Sequence, residues 1–576
     1  MRAALLAGLA LVVLAAWPLR DALLTSTVPG AGPDVVSTLW GMWWFSEVGP
    51  LDAMGSQTDL VNFPYGATGS VLSPSSALLW TLLAPLLGAA RAASAAALLQ
   101  IAGLAAGCAW LTRRLTDSRW GAAAAGLVVL AARYLPFGVG EGSAVAVAAL
   151  PIPLGLLALR AGGWTGGLLA ALCMAWVAAE NPYLAPVLPG VAVLMALDAT
   201  HRRTPVAPLL LAVVLGSVGI VVIAGMFSGS ASPDYPREVA GQTVALAGAH
   251  LSVVDLPWAR AGLSELVWPG AVRWTLSAQE ATAATGGRYL GLVGLLLTGA
   301  AMALRPRQSL PWLGLIGVGV ALSLGSITGG IAGPFLFLNA LMDAVARPLT
   351  QPTRFLALAV IGMSVCAGIA VTAVVQRWGS RAGVVLLGVV LLDGLLVGGL
   401  SLRLPTTALP SGACLADLEP GGLLMWPWDA ELGELSDTQL YQIIHGHPSP
   451  QTGIASWALS QEGRVLTPLR GSGWSTDPTR RRLNLTKLVN LGYRWGVVEV
   501  DADPDGAAWL ASSLGQPFSE CDGLIIYDLA AAASTRKSDQ TKNRQGAGLG
   551  ADQGGVPGGG RQQGSPPRQG VDPGGR

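Results

Sequence analysis

The chain has 576 residues, of which 52% are hydrophobic and only 12% are charged, and its mean hydropathy is positive. Soluble globular domains carry a charge on about a quarter of their residues, so this composition excludes an ordinary soluble protein and indicates a polytopic membrane protein. The net charge of +1 gives no basic surface of the kind that binds nucleic acid.

The first apolar segment contains "LAGLALVVLAAWPL" behind Arg2. We interpret it as a retained span and not as a cleaved signal, because further hydrophobic segments follow it instead of a soluble domain. About 20 apolar residues cross a ~30 Å hydrocarbon core. By this measure we predict eleven spans, near residues 2–19, 92–112, 119–136, 143–159, 163–179, 182–198, 206–226, 288–304, 310–325, 355–375 and 383–401. Residues 76–88 are too short for a span and contain a proline, so we expect a re-entrant or interfacial segment there.

The arginines set the predicted orientation. With a cytoplasmic N-terminus, the turns on the cytoplasmic side carry Arg113, Arg114, Arg160, Arg202, Arg203, Arg305, Arg307, Arg377 and Arg381, in agreement with the positive-inside rule. The predicted transmembrane domain covers residues 1–402. The exterior side receives three of its long loops, at residues 20–91, 227–287 and 326–354, and everything after residue 402.

Residues 403–530 have a different pattern, which predicts an exterior soluble α/β domain. The segments "GGLLMWPWD", "RWGVVEVDAD" and "GLIIYDL" read as strands, and "DTQLYQIIHG" and "DGAAWLASSLG" read as helices. Residues 531–576 lack the apolar residues that could stabilise an ordered structure, so we predict a disordered tail.

The first exterior loop carries the most informative stretch, "PDVVSTLWGMWWFSEVGPLDAMGSQTDLVNFPYG". Val35, Leu39, Met42 and Trp43 recur at helical spacing, which predicts a helix lying in the membrane interface with tryptophans as anchors. Asp34 can simply cap this helix, or it can carry chemistry on the exterior face.

This arrangement resembles the GT-C class of polytopic membrane glycosyltransferases. The resemblance covers residues 1–402 and rests on the first span, the early acid, the interfacial helix and the "TDLVNFPYG...LSP" segment. It implies a polyprenyl-phosphate-linked sugar as donor, an acid of the first exterior loop as catalytic base and, in many members, a divalent metal ion. Asp34 matches the position of that base. Val35 follows it where many members have a second acid.

Three further acids are candidate catalytic partners. Asp59 lies in "QTDLVNFPYG", where its alternative role is in a turn. Glu141 and Glu180 are predicted in short exterior turns close to the bilayer, where an unpartnered carboxylate is costly; their alternative roles are a solvated turn and a cap at Asn181-Pro182.

A donor phosphate needs cations on the exterior face. Arg133, Arg288 and Arg354 lie at exterior ends of predicted spans, against the positive-inside trend. A guanidinium group presents a planar fork of donors that matches phosphate oxygens. The alternative is that each arginine extends to lipid headgroups.

Cysteine and histidine provide the remaining candidates. Cys414 and Cys521 precede the first and the last predicted strand of the exterior domain, so they meet at one edge if these strands are neighbours, and we predict a disulfide between them. His445 and His447 stand two residues apart without a nearby third ligand, which is typical of a structural turn more than of a metal site.

We therefore expect an integral protein of the bacterial plasma membrane that transfers a sugar from a polyprenyl-phosphate carrier to an exterior lipid, glycan or protein. Two other hypotheses stay open at this point. One is a transporter or flippase of lipid-linked saccharides, although no internal repeat is seen. The other is a non-catalytic assembly protein of the same fold, which the missing second acid would fit.

Overall fold

A computed structural model describes the chain over residues 2–31, 33–50, 52–61, 67–70, 73–141, 149–181, 183–192, 210, 213–219, 221, 261–268, 288–325, 327–328, 331–335, 337–338, 351–426, 438–449, 457–459, 485–501 and 504–535. Most of the predicted span 206–226, most of the predicted loop 227–287 and residues 536–576 of the predicted tail lie outside these residues; within that span, residues 213–219 are helical. Residues 531–535, where the disordered tail was predicted to begin, are helical.

Within the described residues, the helices include α1 Arg2–Ala16, α2 Arg20–Thr25, α3 Pro33–Val48, α4 Pro74–Leu87, α5 Ala89–Thr116, α6 Arg119–Ala131, α7 Tyr134–Gly140, α8 Pro151–Ala161, α9 Gly163–Glu180, α10 Leu263–Val267, α11 Leu292–Leu304, α12 Pro306–Ser323, α13 Leu356–Trp378, α14 Ser380–Leu396, α15 Thr438–His445, α16 Leu485–Asn490 and α17 Pro504–Leu514. The strands are β1 Val28–Pro29, β2 Met54–Thr58, β3 Ala67–Ser70, β4 Ile327–Thr328, β5 Ile331–Ala332, β6 Thr406–Thr407, β7 Gly422–Trp426, β8 Trp457–Leu459, β9 Tyr493–Glu499, β10 Ser519–Cys521 and β11 Leu524–Asp528.

Four helical stretches of the described chain are long and apolar enough to cross a membrane. They are α5, the continuous stretch Arg119–Gly140, α9 and the stretch Pro352–Trp378. Of the other predicted spans, α1, α11 and α14 are shorter helices of 15, 13 and 17 residues, whereas α12 has 18. The span predicted at 143–159 is helical from Pro151 onward among its described residues, and a proline suits the first turn of a helix. The structure thus supports a membrane protein without reproducing the count of eleven.

Helix α13 forms the centre of the helical region. Its residues from Leu356 to Thr372 are buried on every side. Glycines allow its close contact with α6: a Cβ atom added to Gly368 would lie 2.6 Å from the carbonyl oxygen of Gly121. Small residues at such contacts are what close helix packing in lipid requires.

Helix α4 has the form expected of an interfacial segment. Its 14 residues extend about 21 Å at the usual rise, which is short of the ~30 Å hydrocarbon core. Leu78, Leu82 and Leu86 are exposed at four-residue spacing, whereas Ala77 and Trp80 are buried on the opposite face.

Helix α3 forms where the sequence predicts it, but the predicted role of its tryptophans is wrong. Trp40, Trp43 and Trp44 are buried inside the protein, and they pack with Trp80 of α4 and Leu440 of α15 in one apolar cluster. Residues that come 400 positions later in the chain therefore cover the face that was expected to meet lipid.

The C-terminal region forms a mixed four-stranded sheet. The strand order is β10-β11-β9-β7, with β7 and β9 parallel and the other pairs antiparallel. Leucines of α16 and α17 cover one face, and Leu415 with Tyr441 of α15 covers the other. The strands β7 and β11, proposed as possible neighbours, are separated by β9.

The first long loop and the C-terminal region are joined, although the sequence assigned them to separate domains. Strand β3 pairs with β2 on one side and with β8 on the other, with Ala67 opposite Leu459. Likewise β1, after the first two helices, pairs with β6 through Val28 and Thr407. Hydrogen-bonded strands thus cross the predicted boundary at residue 402.

Candidate active site

A tight loop places the start of α3 against the end of α7. The backbone N–H of Ala31 donates to the carbonyl of Gly140 at 3.0 Å, and that of Gly30 donates to the carbonyl of Pro405 at 2.7 Å. Gly30 has φ +107°, and a Cβ atom there would lie 2.7 Å from the carbonyl oxygen of Val139. Only glycine fits this conformation and this close approach.

This contact brings two candidate acids together. Asp34 lies in the first turn of α3, and Glu141 directly follows α7. Burial raises the pKa of Asp34, and the positive charge of Arg354 opposes that rise. Burial also raises the pKa of Glu141 to about 7, with Arg288 and Arg354 lowering it and Asp34 raising it further. Asp34 therefore acts on Glu141, and the charge of Arg354 acts on both acids.

The three predicted phosphate-binding arginines are buried in the protein, with relative exposures of 2% for Arg133, 8% for Arg288 and 9% for Arg354. Their burial contradicts the alternative in which they extend to lipid headgroups. The Arg354 guanidinium lies 4.6 Å from the centre of the Tyr183 ring, and its Nε donates to Gln351.

The other two arginines are held by neighbouring acids and an aromatic ring. Arg288 forms an ion pair with Glu265 at 3.0 Å. Arg133 lies 6.0 Å from the centre of the Tyr289 ring, and its backbone N–H donates to the Tyr289 carbonyl at 3.0 Å. Such contacts hold the planar guanidinium groups in one orientation.

Glu180 has a different set of partners. Its carboxylate is fully buried and accepts hydrogen bonds from the backbone N–H of Ser75 at 2.7 Å, from Ser73 Oγ at 2.8 Å and from Trp176 Nε1 at 3.0 Å. It therefore fixes the first turn of α4, instead of capping at Asn181-Pro182. A catalytic role for Glu180 stays a prediction.

Asp59 lies in an exposed turn after β2. The next residue, Leu60, accepts hydrogen bonds at its carbonyl from Gln442 Nε2 at 2.6 Å and from the Ser449 N–H at 2.9 Å. The structure thus places Asp59 beside the C-terminal region, whereas the charges acting on Asp34 and Glu141 are those of Arg288, Arg354 and each other. Its catalytic role also stays a prediction.

His445 and His447 are buried at the end of α15. The His447 N–H donates to His445 Nδ1 at 2.8 Å, and His447 Nε2 lies 3.1 Å from the Leu415 carbonyl. Burial, with the charge of His447 as a second cause, lowers the pKa of His445 to about 3. A neutral ring that accepts a backbone hydrogen bond is a structural element of this turn.

Cys414 and Cys521 are bonded to each other, with their Cα atoms 6.6 Å apart. The bridge joins the short turn Ala413–Leu415, which covers one face of the C-terminal sheet, to the edge strand β10. The strand arrangement used to predict the pair was incorrect, since β9 lies between β7 and β11. The disulfide therefore joins an edge strand to a turn that packs on the sheet, and does not join two neighbouring strands.

Several residues of the site were missed at the sequence level. Glu265, Tyr183 and Tyr289 hold arginines, and Asp393 accepts a hydrogen bond from Tyr289 at 2.8 Å. A signal existed for Asp393, because it is an acid within the hydrophobic segment predicted at 383–401, and such acids are commonly functional.

The described residues of the site do not supply a full set of protein ligands for a metal ion. Among the residues that the structure describes, no three acidic, histidine or cysteine side chains come together in a way that could hold one. Asp34 and Glu141 supply two carboxyl groups, and these already interact with arginine charges. We therefore derive no step through a metal.

No family model and no curated protein matches the sequence. The structure is similar to that of the Archaeoglobus fulgidus oligosaccharyltransferase in complex with zinc and sulfate, with a TM-score of 0.47 and 12% identity over 88% of this chain and 69% of that chain. It is also similar to that of apo ArnT from Cupriavidus metallidurans, with a TM-score of 0.37 and 14% identity over 90% and 97%. Both are GT-C glycosyltransferases, the class that the sequence resembles.

Proposed function

We propose that this chain is a membrane glycosyltransferase that moves a sugar from a polyprenyl-phosphate donor to a lipid, glycan or protein acceptor on the exterior side of the bacterial plasma membrane. The observation that carries the proposal is that the Ala31–Gly140 contact sets Asp34, at the start of α3, against Glu141, at the end of α7, where Arg354 acts on both acids and Arg288 acts on Glu141. Guanidinium groups match the oxygens of a sugar phosphate, and a carboxylate can take the proton of a hydroxyl acceptor.

In the reaction assigned to this site, the acceptor hydroxyl loses its proton to the Asp34 carboxylate, and its oxygen forms a bond to the anomeric carbon of the sugar. The bond between that carbon and the phosphate oxygen breaks on the opposite face, and the polyprenyl phosphate leaves with the bonding electrons. A single displacement of this kind inverts the anomeric configuration.

Asp34 is the acid assigned as base. It lies in the first turn of α3, where the positive end of the helix stabilises its charged form, and the charge of Arg354 acts in the same direction. Burial raises its pKa, which makes it a better proton acceptor than an ordinary carboxylate near neutral pH.

Glu141 has a complementary role. With a pKa of about 7, a large fraction of its carboxyl groups are protonated at neutral pH. A protonated carboxyl can donate a hydrogen bond to a substrate oxygen. We assign Glu141 to orienting the acceptor or the sugar beside Asp34.

The arginines are assigned to the donor phosphate. Charge grows on the leaving phosphate as its bond to the sugar breaks, and fixed guanidinium groups in a site shielded from water stabilise that charge. The charges of Arg354 and Arg288 act on Glu141. The guanidinium of Arg133 lies 6.0 Å from the centre of the Tyr289 ring. All three are held by protein contacts and need little reorganisation.

The experiment compares lipid-linked sugars in strains that carry the wild-type chain, Asp34→Asn, Glu141→Gln or the control Glu47→Gln. Glu47 is an exposed acid of the same helix. Loss of a general base commonly slows a reaction about 100 to 10,000-fold. We therefore expect Asp34→Asn to accumulate the polyprenyl-phosphate sugar, measured by mass spectrometry, and the control to behave like the wild type.

Release of free polyprenyl phosphate by the purified protein separates transfer from transport, because a flippase moves the carrier without breaking the sugar–phosphate bond. If Asp34→Asn inserts normally and releases polyprenyl phosphate at the wild-type rate, the assignment of the base is wrong. If the wild-type protein moves the carrier across proteoliposomes with the bond intact, the transfer function is wrong.

A further inference from the structure

Asp393 is an acid that the proposed reaction does not use. It lies in α14, within a segment predicted to span the membrane, where a carboxylate is costly unless it has a partner and a purpose. Its Oδ1 accepts a hydrogen bond of 2.8 Å from the hydroxyl of Tyr289.

Tyr289 is held by several further contacts. Its hydroxyl also accepts a hydrogen bond of 2.6 Å from the backbone N–H of Leu292, and its ring is almost fully buried. Gly291 has φ +102°, and a Cβ atom there would lie 3.2 Å from Asp393 Oδ2. The backbone between Tyr289 and α11 is therefore shaped to let the carboxylate of Asp393 approach closely.

Two of the proposed phosphate-binding arginines depend on Tyr289. Its carbonyl accepts the N–H of Arg133, and its ring lies 6.0 Å from the guanidinium of Arg133. Arg288 is the preceding residue in the chain, so the position of the Tyr289 backbone sets where the Arg288 side chain starts. The carboxylate of Asp393 also acts electrostatically on Arg133.

We propose that Asp393 is a positioning residue, which holds Arg133 and Arg288 in place for a phosphate group through its hydrogen bond with Tyr289. This inference rests on the proposed function, because the phosphate is that of the lipid-linked donor. It goes further by making donor affinity depend on an acid that does not touch the donor.

The test measures binding, so it does not require the sugar or the acceptor to be known. The probe is undecaprenyl phosphate, added to the purified full-length protein in detergent, with the dissociation constant measured by thermophoresis. Asp393→Ala removes the acceptor of the hydrogen bond, and Tyr289→Phe removes its donor while keeping the ring. Asp393→Asn keeps an acceptor oxygen for Tyr289.

We expect Asp393→Ala and Tyr289→Phe each to weaken binding about tenfold, a size typical of a lost hydrogen bond to a charged group. The losses of the two single variants should not add in the double variant, because both changes remove the hydrogen bond between Asp393 and Tyr289. Asp393→Asn should stay within about threefold of the wild type. Thr298→Val is the control for α11, since its hydroxyl donates within that helix to Gly294, and it should bind normally.

If sugar transfer is assayed as well, kcat/KM for the donor should fall in Asp393→Ala while the KM for the acceptor stays unchanged, a split that general loss of stability would not produce. Normal binding by folded Tyr289→Phe, or by folded Asp393→Ala, overturns the inference and leaves the proposed function standing. Equal loss in Asp393→Asn and Asp393→Ala also overturns it, because charge would then matter and not the hydrogen bond. Failure of the wild type to bind the lipid phosphate overturns both proposals.

Discussion

Trp40 and Gln442 are 402 positions apart in the sequence and share a buried hydrogen bond of 2.7 Å from Trp40 Nε1 to Gln442 Oε1. The amide nitrogen of Gln442 donates to the carbonyls of Leu60 and His447, at 2.6 and 2.9 Å. One side chain thus joins α3, the first long loop and the C-terminal region. The helix that carries Asp34 is consequently fixed by residues near the other end of the chain.

The first prediction concerns Gln442→Leu. This change leaves an indole N–H and two carbonyls without this partner, and each buried unpaired group costs about 1–3 kcal/mol. We expect the midpoint of thermal unfolding of the purified protein to fall clearly. Gln516→Leu, at an exposed glutamine, should leave it nearly unchanged. Equal midpoints for the two variants would contradict the role of this amide.

The second prediction concerns Gly30→Ala. The positive φ angle costs about 1 kcal/mol for a residue with a side chain, and the new methyl group would also press on the Val139 carbonyl and Val35. Gly49→Ala is the matched control, because Gly49 has φ +86° with nothing within 4 Å of an added Cβ. We expect Gly30→Ala to lose more stability and more transfer activity than Gly49→Ala, measured side by side.

The third prediction concerns pH. Burial raises the pKa of Glu141 from an ordinary value of 4.5 to about 7. Between these two values the folded protein binds a proton that the unfolded chain has lost, so this group makes stability fall as pH rises from 4.5 to 7. Glu141→Gln should reduce that fall in the unfolding midpoint between pH 5 and pH 7. The exposed control Glu47→Gln should keep the wild-type dependence of the unfolding midpoint on pH. An unchanged dependence in Glu141→Gln would show that the pKa of Glu141 is not raised by burial.

The fourth prediction concerns the bond between Cys414 and Cys521. Loss of a native disulfide typically costs about 2–4 kcal/mol. Reductant should therefore lower the unfolding midpoint of the wild-type protein, and the double variant Cys414→Ala/Cys521→Ala should unfold at that lower midpoint whether or not reductant is present. Peptide mapping without reductant should recover the two cysteines in one linked peptide. Full alkylation of both thiols in unreduced, unfolded protein would rule the bond out.

Local patterns in the sequence predicted local features of this protein. Helix α3 forms over the residues whose apolar spacing indicated it, and strands β7, β9 and β11 form where alternating segments were read. Asp34 and Glu141 were both named as candidate acids. These features are determined by residues that are close together in the sequence, so local patterns are enough to predict them.

Relationships between distant segments could not be predicted in this way. Nothing in the hydrophobic pattern shows that β9 separates β7 from β11, since alternation indicates a strand but not its neighbour. The burial of Trp40 depends on α15, and the meeting of Glu141 with Arg288 depends on packing among helices. An apolar face looks the same in a sequence whether lipid or another helix covers it.

The pairing of β3 with β8 has a consequence for how the protein is made. Strand β3 ends at Ser70 and its partner β8 ends at Leu459, a difference of 389 residues (459 minus 70). Chains are synthesised at about 5–20 residues per second, so roughly 20–80 seconds pass between the synthesis of β3 and the synthesis of β8. During that time Trp40 also lacks Gln442. A chain that stops before residue 442 can insert its first helices in the membrane, but it cannot complete the surroundings of α3.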